Sequence, residues 1–358
     1  MKEGMSLQEF ALELQKQNEM KQDYLVDSRS LQMEAFAGRP YLHLYDKGME
    51  VVEPLEINQI AHRQIASHLK IPADYYDKMQ EEQPELLVRN VNTWLSQSSD
   101  KRMLRTLGGT ARAFLSSRYK RIDNMDIATI AIPILSGING VRIESCQLTD
   151  RRMYIKAVNP RLEAEVVPGD IVQAGVIISN SEVGQGSVSI QPLIYRLVCS
   201  NGMIVNEAQT KAKHIGRIVS SDENFQIYSE KTIQAEDKAF LLKVQDTVKA
   251  AVDETRFSRI VAHMQEAKKL PMNTADVPEV IRLASRQFSL TKEESAGVLQ
   301  RLIESNDLNL YGLANAVTRY SQDVESYDRA TELEAAGYNI LTMPVRQWNM
   351  INQMAVAA

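Results

Sequence analysis

Residues 171–199 read IVQAGVIISNSEVGQGSVSIQPLIYRLVC. Ile171–Val183 and Ser187–Cys199 are both rich in β-branched residues and are joined by Gly184-Gln185-Gly186, a spacing that predicts one long β-hairpin. An isolated two-stranded ribbon is marginal in water and its edges invite pairing, so these strands must join a larger sheet or a neighbouring subunit. The nearest partner is Val141–Val158, where Val141–Leu148 and Arg151–Val158 alternate around Thr149-Asp150. The expected fold is therefore α+β: a central antiparallel sheet containing the hairpin, flanked by N-terminal and C-terminal helical regions. The loop Ser179–Ser187 is glycine-bearing but lacks the Lys-Ser/Thr ending of a phosphate loop, and it joins strand to strand, so it reads as a turn.

Working outward, Met103–Leu107 and Ala111–Leu115 flank Gly108-Gly109, and Asn124 is placed to cap a helix through Leu135. Toward the N-terminus, Ser6 and Glu9 match a capping box, and Arg39–Ile57 alternates as two short strands around Asp46-Lys47-Gly48. Asn58 caps Gln59–Leu69, Pro72 interrupts, and Pro84 heads a helix through Leu95. Asn58–Met79 has a helix-turn-helix spacing, but Asp74 and Asp77 make its second helix a poor occupant of a major groove. Downstream, Ala235–Lys269 is a long amphipathic segment, followed by Val277–Phe288, a helix opened by the Thr291/Glu294 capping box, Leu313–Tyr320 and Ala330–Ala336. Three regions result, at 1–100, 101–220 and 221–358, with no low-complexity linker between them, so intimate packing is expected.

The chain of 358 residues is 44% hydrophobic, enough for a large core, and no apolar run approaches the ~20 residues that span a bilayer. The N-terminus lacks an uninterrupted apolar segment with a cleavage site, so a cytoplasmic location is expected. Cys146 and Cys199 sit in apolar alternating segments and read as inert thiols. Charge is segregated: Lys101–Arg217 carries sixteen lysines and arginines against nine acids in a chain of net charge −5. Within KRMLRTLGGTARAFLSSRYKRIDN, residues 101–124, seven basic residues precede the first acid, Asp123. This pattern predicts a positive surface for a polyanion, with nucleic acid the commonest. Arg112, Arg118, Lys120 and Arg121 are the candidate phosphate contacts and Tyr119 the candidate stacking ring, whereas Phe114 reads as core. Arg152 and Lys156 share one strand face, and Lys211 and Lys213 extend the track. With the hairpin beside Val141–Val158, Arg152, Lys156 and Arg196 are expected on one groove.

Catalytic chemistry finds little to stand on. His62 and His68 are too far apart for a helical ligand pair, no HExxH occurs, and nothing in the sequence activates a Cys199–His214 dyad. Asp123 with Asp126 reads as an acidic first helical turn rather than a Mg²⁺ site. No enzymatic activity, cofactor or metal is expected.

Several segments then fall into a familiar order. IPADYYDKM, ELLVRNVNTWL, MLRTLGGTARAFLSSRYKRIDN, VIISNSEVGQGS, YRLVCSNGM and YGLANAVTRYSQDVESYDRATELEAAGYNIL resemble the phage/plasmid-like family known as domain of unknown function 932, from about Ile71 to Leu341. The resemblance implies a phage, plasmid or other mobile-element origin, hence a host cytoplasm, and brings no activity or catalytic residues. The order of helix Asn124–Leu135, antiparallel strands with a long hairpin, and helix Ala235–Lys269 is similar to the core of phage single-strand annealing proteins of the Red-beta and Erf type. In those proteins the hairpin and basic strands line a groove for the DNA backbone. The combined expectation is a non-catalytic, oligomeric single-stranded DNA-binding protein that assists recombination or replication by annealing. The rival classes are a protein-binding accessory or host-defence antagonist, and an unrecognised enzyme acting on nucleic acid.

Overall fold

The computed structural model describes residues 1–46, 49–50, 52–206, 210–212, 239, 242, 245–246, 248 and 253–357. Helix α1 (Leu7–Met20) starts at the predicted capping box: the Glu9 carboxylate accepts from Ser6 N–H at 2.9 Å and Ser6 Oγ accepts from Glu9 N–H at 3.3 Å. It buries Phe10 and Leu14 and leaves a polar outer face.

Two strands that the sequence reading did not anticipate come next, β1 (Lys21–Asp27) and β2 (Leu31–Phe36). Together with β3 (Arg39–Asp46), β4 (Met49–Glu50), β5 (Leu55–Ile57), β6 (Lys101–Leu107) and β7 (Thr110–Ser116) they form a first sheet in the order β1-β6-β7-β5-β3-β2, with β4 on β3. All pairs are antiparallel except β5 with β7. Asp46 lies opposite Met49 as the predicted turn requires, although residues 47–48 of that turn lie outside the described residues. Gly108 and Gly109 close the β6–β7 hairpin at φ +55° and +83°, the left-handed pair that a two-residue turn demands. Helices α2 (Gln59–His68), α3 (Ala73–Glu82) and α4 (Pro84–Gln97) cover one face, packing Ile65, Tyr76, Met79, Leu87, Val91 and Leu95 against Met33, Leu42, Leu104 and Phe114. Asn58 caps α2 and Pro84 opens α4 as expected. At the β2 edge, the Asn92 amide from α4 accepts from Met33 N–H at 2.7 Å and donates to its carbonyl at 2.8 Å, occupying pairing groups that would otherwise be open.

The long hairpin belongs to a second sheet. After α5 (Asn124–Gly137) come β8 (Arg142–Leu148), β9 (Met153–Glu165), β10 (Ile171–Asn180), β11 (Val188–Arg196), β12 (Asn201–Ile204) and β13 (Thr210–Ala212), ordered β12-β11-β10-β9-β8 with β13 also on β11. The hairpin therefore lies beside residues 141–158, as its apolar length requires, with Ser179 opposite Ser189. The N-cap of α5 is Asp123, and Asn124 is the first helical residue instead of the cap. One face of this sheet packs Cys146, Met153, Ile155, Val176, Ile178, Val188 and Ile190 against Phe10 and Leu14 of α1 and Ile127, Ala131 and Leu135 of α5. Burial in this layer pushes the Cys146 thiol up to about 12, consistent with an inert side chain.

The rest of the sheet meets the C-terminal helices α6 (Glu254–Lys268), α7 (Val277–Gln287), α8 (Lys292–Ser305), α9 (Leu310–Tyr320), α10 (Tyr327–Leu341) and α11 (Val345–Ala357). Their shared core includes Ile260, Met264, Ile281, Leu302, Tyr311, Val317, Leu333 and Trp348. The Thr291/Glu294 box opens α8 as predicted. The predicted helix Ala235–Lys269 is represented by α6, and most of its earlier part lies outside the described residues.

The two sheets meet at the hairpin tip. Strand pairing stops at Asn180 and resumes at Val188, and the intervening loop inserts against the first sheet. Val183 is 2% exposed and packs with Ile60, Ala113 and Leu115. Its carbonyl accepts from Gln64 Nε2 at 2.8 Å, while Gln64 Oε1 accepts from Phe114 N–H at 2.7 Å. Gly184 follows at φ +75°, where a Cβ would stand 2.6 Å from Leu115 Cδ2, so conformation and close approach both demand glycine. Val183→Ala should lower unfolding stability by about 2 kcal/mol through lost methyl burial and an unfilled gap. Val198→Ala, at a position 61% exposed, should change it by less than about 0.5 kcal/mol. Urea unfolding of the two variants checks both values.

Candidate nucleic-acid interface

Beside the tip, the basic segment is organised around a carboxylate. Glu182 is 6% exposed. Its Oε1 accepts from the Asn124 N–H at the start of α5 at 2.6 Å, and its Oε2 pairs with Arg112 Nη1 at 2.8 Å. Lys21 stands 3.8 Å from the same carboxylate and 2.8 Å from Asp123. Arg105, fully buried, donates from Nη1 to the Glu182 carbonyl at 2.9 Å, from Nε to Asp23 at 2.7 Å and from Nη2 to Asp123 at 2.7 Å. Burial alone would lower the Arg105 guanidinium; Asp23 and Asp123 more than reverse this and hold it above its ordinary value. Asp123 shows the mirror effect: burial pushes its carboxyl up, but Arg105 and Lys21 keep it below the usual carboxylate range.

The predicted site residues therefore divide. Arg112 is a buried structural cation against Glu182, and its Nε and Nη2 have no hydrogen-bond partner among the described residues. Tyr119 turns its hydroxyl inward to the Ser181 carbonyl at 2.9 Å, and burial raises its phenol, which corrects its assignment as a stacking ring. Arg118 and Arg121 are exposed, and Arg121 makes one 3.4 Å contact with Asp23. Lys120 is half-buried beside them. Arg152 is half-buried and donates to the Gln185 carbonyl at 2.5 Å, so it flanks the same tip from the second sheet. The Lys211 backbone pairs with Ser189, and Lys213 lies outside the described residues.

Lys156 and Arg196 fall away from this group. Lys156 is fully buried, its Nζ 2.6 Å from Glu334 of α10 and 4.6 Å from the Tyr327 ring centre. Burial lowers its ammonium, and Glu334 opposes that shift. No phosphate reaches it. Arg196 forms a fork on Asp170, with Nε at 2.6 Å and Nη2 at 2.9 Å, and lies over Tyr311. It stands eight positions beyond Val188 along β11, roughly 27 Å from the tip at about 3.4 Å per residue. The expected common groove of Arg152, Lys156 and Arg196 is thus absent, because two of the three cations neutralise buried carboxylates instead of facing water.

Sequence reasoning missed Asp23, Arg105 and Glu182, the groups that consume the local charge. Glu182 alone left a trace, as an acid placed beside Val183 in a loop otherwise made of small and polar residues. Among the described residues no group of three or more His, Cys, Asp or Glu side chains is placed to hold a metal ion, and no helix is long and apolar enough to cross a membrane.

Two consequences are measurable. Lys156→Ala strands Glu334, whose Oε1 already lacks a partner among the described residues, and should cost ~3–5 kcal/mol. Lys156→Met with Glu334→Leu should cost less than either single truncation, as a double-mutant cycle in urea will reveal. The second concerns acid. Because the folded-state value of Asp123 is depressed, its stabilisation is present above the unfolded value of about 4 and is lost as pH falls through the folded one. The melting temperature should fall on acidification below about pH 4, with Asp123→Asn flattening that dependence.

The family described as domain of unknown function (DUF932) matches this chain over residues 113–347, which leaves the IPADYYDKM and ELLVRNVNTWL segments outside the matched region. No curated protein and no solved structure matches the chain.

Proposed function

The chain belongs to the family described as domain of unknown function (DUF932), a membership that brings no activity with it, and we propose that it is a non-catalytic binder of single-stranded nucleic acid. The observation that supports this reading is the position of its exposed and half-buried cations. Arg118 and Arg121 lie on the loop whose Tyr119 grips Ser181, and Arg151 and Arg152 line a cavity together with Gln185. Cations from both sheets thus surround one feature, the hairpin tip, which Val183 and Glu182 hold rigid. Flexible phosphates are attracted to such a cluster by charge and counterion release, with no requirement for a base-reading helix. Assembly into oligomers and an annealing role in recombination on a mobile element follow from the topological resemblance and form the outer part of the proposal.

Fluorescence anisotropy with oligo-dT, a duplex and an RNA at two salt concentrations tests it. Single strands should bind with little sequence preference and with affinity that falls steeply with salt. Arg118→Ala with Arg121→Ala should reduce the salt slope by about 1.5 while leaving the melting temperature unchanged. Absence of binding at low ionic strength would end this reading.

A further inference from the structure

The sheet face beneath α10 changes character along its strands. Leu193, Ile177 and Ile204 pack there with Tyr327 as an apolar patch. The next positions toward the tip are hydroxyls and an amide: Tyr154, Ser179 and Ser189 are cross-strand neighbours, and Gln191 lies opposite Ile177. Cross-strand partners share a face, and a sheet face covered by a helix is ordinarily apolar. Here it encloses a cavity of about 250 Å³ between β9–β12 and α10. Places where such a local rule fails in a natural protein are where binding sites are found.

The lining is chemically divided. Ile177 and Ile204 on the floor and Ala335 on the roof supply apolar surface. Ser179 is 6% exposed and makes no side-chain hydrogen bond among the described residues. Gln191 accepts from Ser189 Oγ at 3.1 Å and donates to Asn206 at 2.9 Å, which fixes its amide in place. Asp328 accepts from Tyr154 at 2.7 Å and from Thr149 at 3.1 Å, and Glu332 pairs with Arg329 at 2.7 Å. Both carboxylates in the lining are therefore engaged, whereas neither Arg151 nor Arg152 has a carboxylate partner among the described residues.

We infer that this cavity binds one nucleoside 5′-phosphate unit. The ring lies in the slot between sheet and helix against Ile177, Ile204 and Ala335, its edge meets Ser179 and Gln191, and its phosphate meets Arg151 and Arg152. The unit is either a free mononucleotide or the 5′-terminal residue of a strand, and only the second source rests on the reading proposed above.

Calorimetric titration of the full chain with dAMP, with inorganic phosphate as control, is the test. dAMP should bind saturably and more tightly than phosphate alone. Ala335→Leu, which fills the slot from a helical position, and Arg151→Ala, which removes an exposed charge, should each weaken dAMP by about tenfold or more. Melting curves verify that both variants are folded, and Arg151→Ala carries the test if Ala335→Leu is not. Oligo-dT with and without a 5′-phosphate separates the sources: an affinity gain from the phosphate that Ala335→Leu abolishes assigns the strand terminus, and unchanged oligonucleotide binding assigns the free nucleotide. Binding of dAMP without any strand binding keeps the cavity assignment and removes the single-strand reading. Failure of dAMP to bind at millimolar concentration, or binding indifferent to both substitutions, overturns the inference whatever the oligonucleotides do.

Discussion

The structure depends on a carboxylate placed where a hairpin tip meets a second sheet. Glu182, 6% exposed, sits between β7 and the start of α5. An ionised group there is tolerated only with close countercharge and hydrogen bonds, since an uncompensated buried charge costs several kcal/mol. Arg112, Lys21 and the α5 amide end supply that compensation directly. Arg105 then holds the adjacent carbonyl and must itself be neutralised, by Asp23 from β1 and Asp123 from the head of α5. Each group is there because its neighbour requires it, so residues far apart in sequence become one network joining the two sheets. The apolar part of the same contact, Val183 among Ile60, Ala113 and Leu115, supplies attraction, and the charges supply register.

This explains why charge density along the chain is a poor guide to the surface. Seven cations before the first acid in residues 101–124 look like a phosphate track because their partners are elsewhere: Asp23 precedes the segment and Glu182 follows it. Arg196 and Lys156 repeat the pattern with Asp170 and with Glu334, the latter 178 positions away. A long-range ion pair leaves no local periodicity. What periodicity and turn chemistry do carry was readable: the 171–199 hairpin and its place beside β9, the Gly108-Gly109 turn, the Asn58 cap, Pro84 at the head of α4, and both capping boxes. Strand β1 was hidden because KQDYLVD buries only Val26 among mostly polar neighbours, and β2 because LQMEAF alternates over only four residues, burying Leu31 and Met33. Pairing within a seven-stranded sheet, rather than intrinsic pattern, makes them strands.

The candidate site shows the same limit from the other side. Ser179, Ser189 and Gln191 are visible in the sequence as polar residues at alternate strand positions, which ordinarily signals a solvated face. Only the placement of α10 over that face turns them into the floor of a cavity. The second sheet is thereby graded beneath one helix: an apolar patch at Leu193 that runs through Ile204 into the cavity floor, the sealed Lys156–Glu334 pair, and the polar cavity toward the tip. The ion pair matters to the grading even though it touches no solvent. Lys156 is one strand repeat from Tyr154, and Glu334 immediately precedes Ala335 on α10, so the pair fixes the helix over the strands at the level where the cavity begins. Rigidity at the tip comes from Glu182 and at the roof from Lys156. The two structural networks that take Arg112 and Lys156 out of the predicted phosphate contacts also hold the hairpin tip and the cavity roof in place.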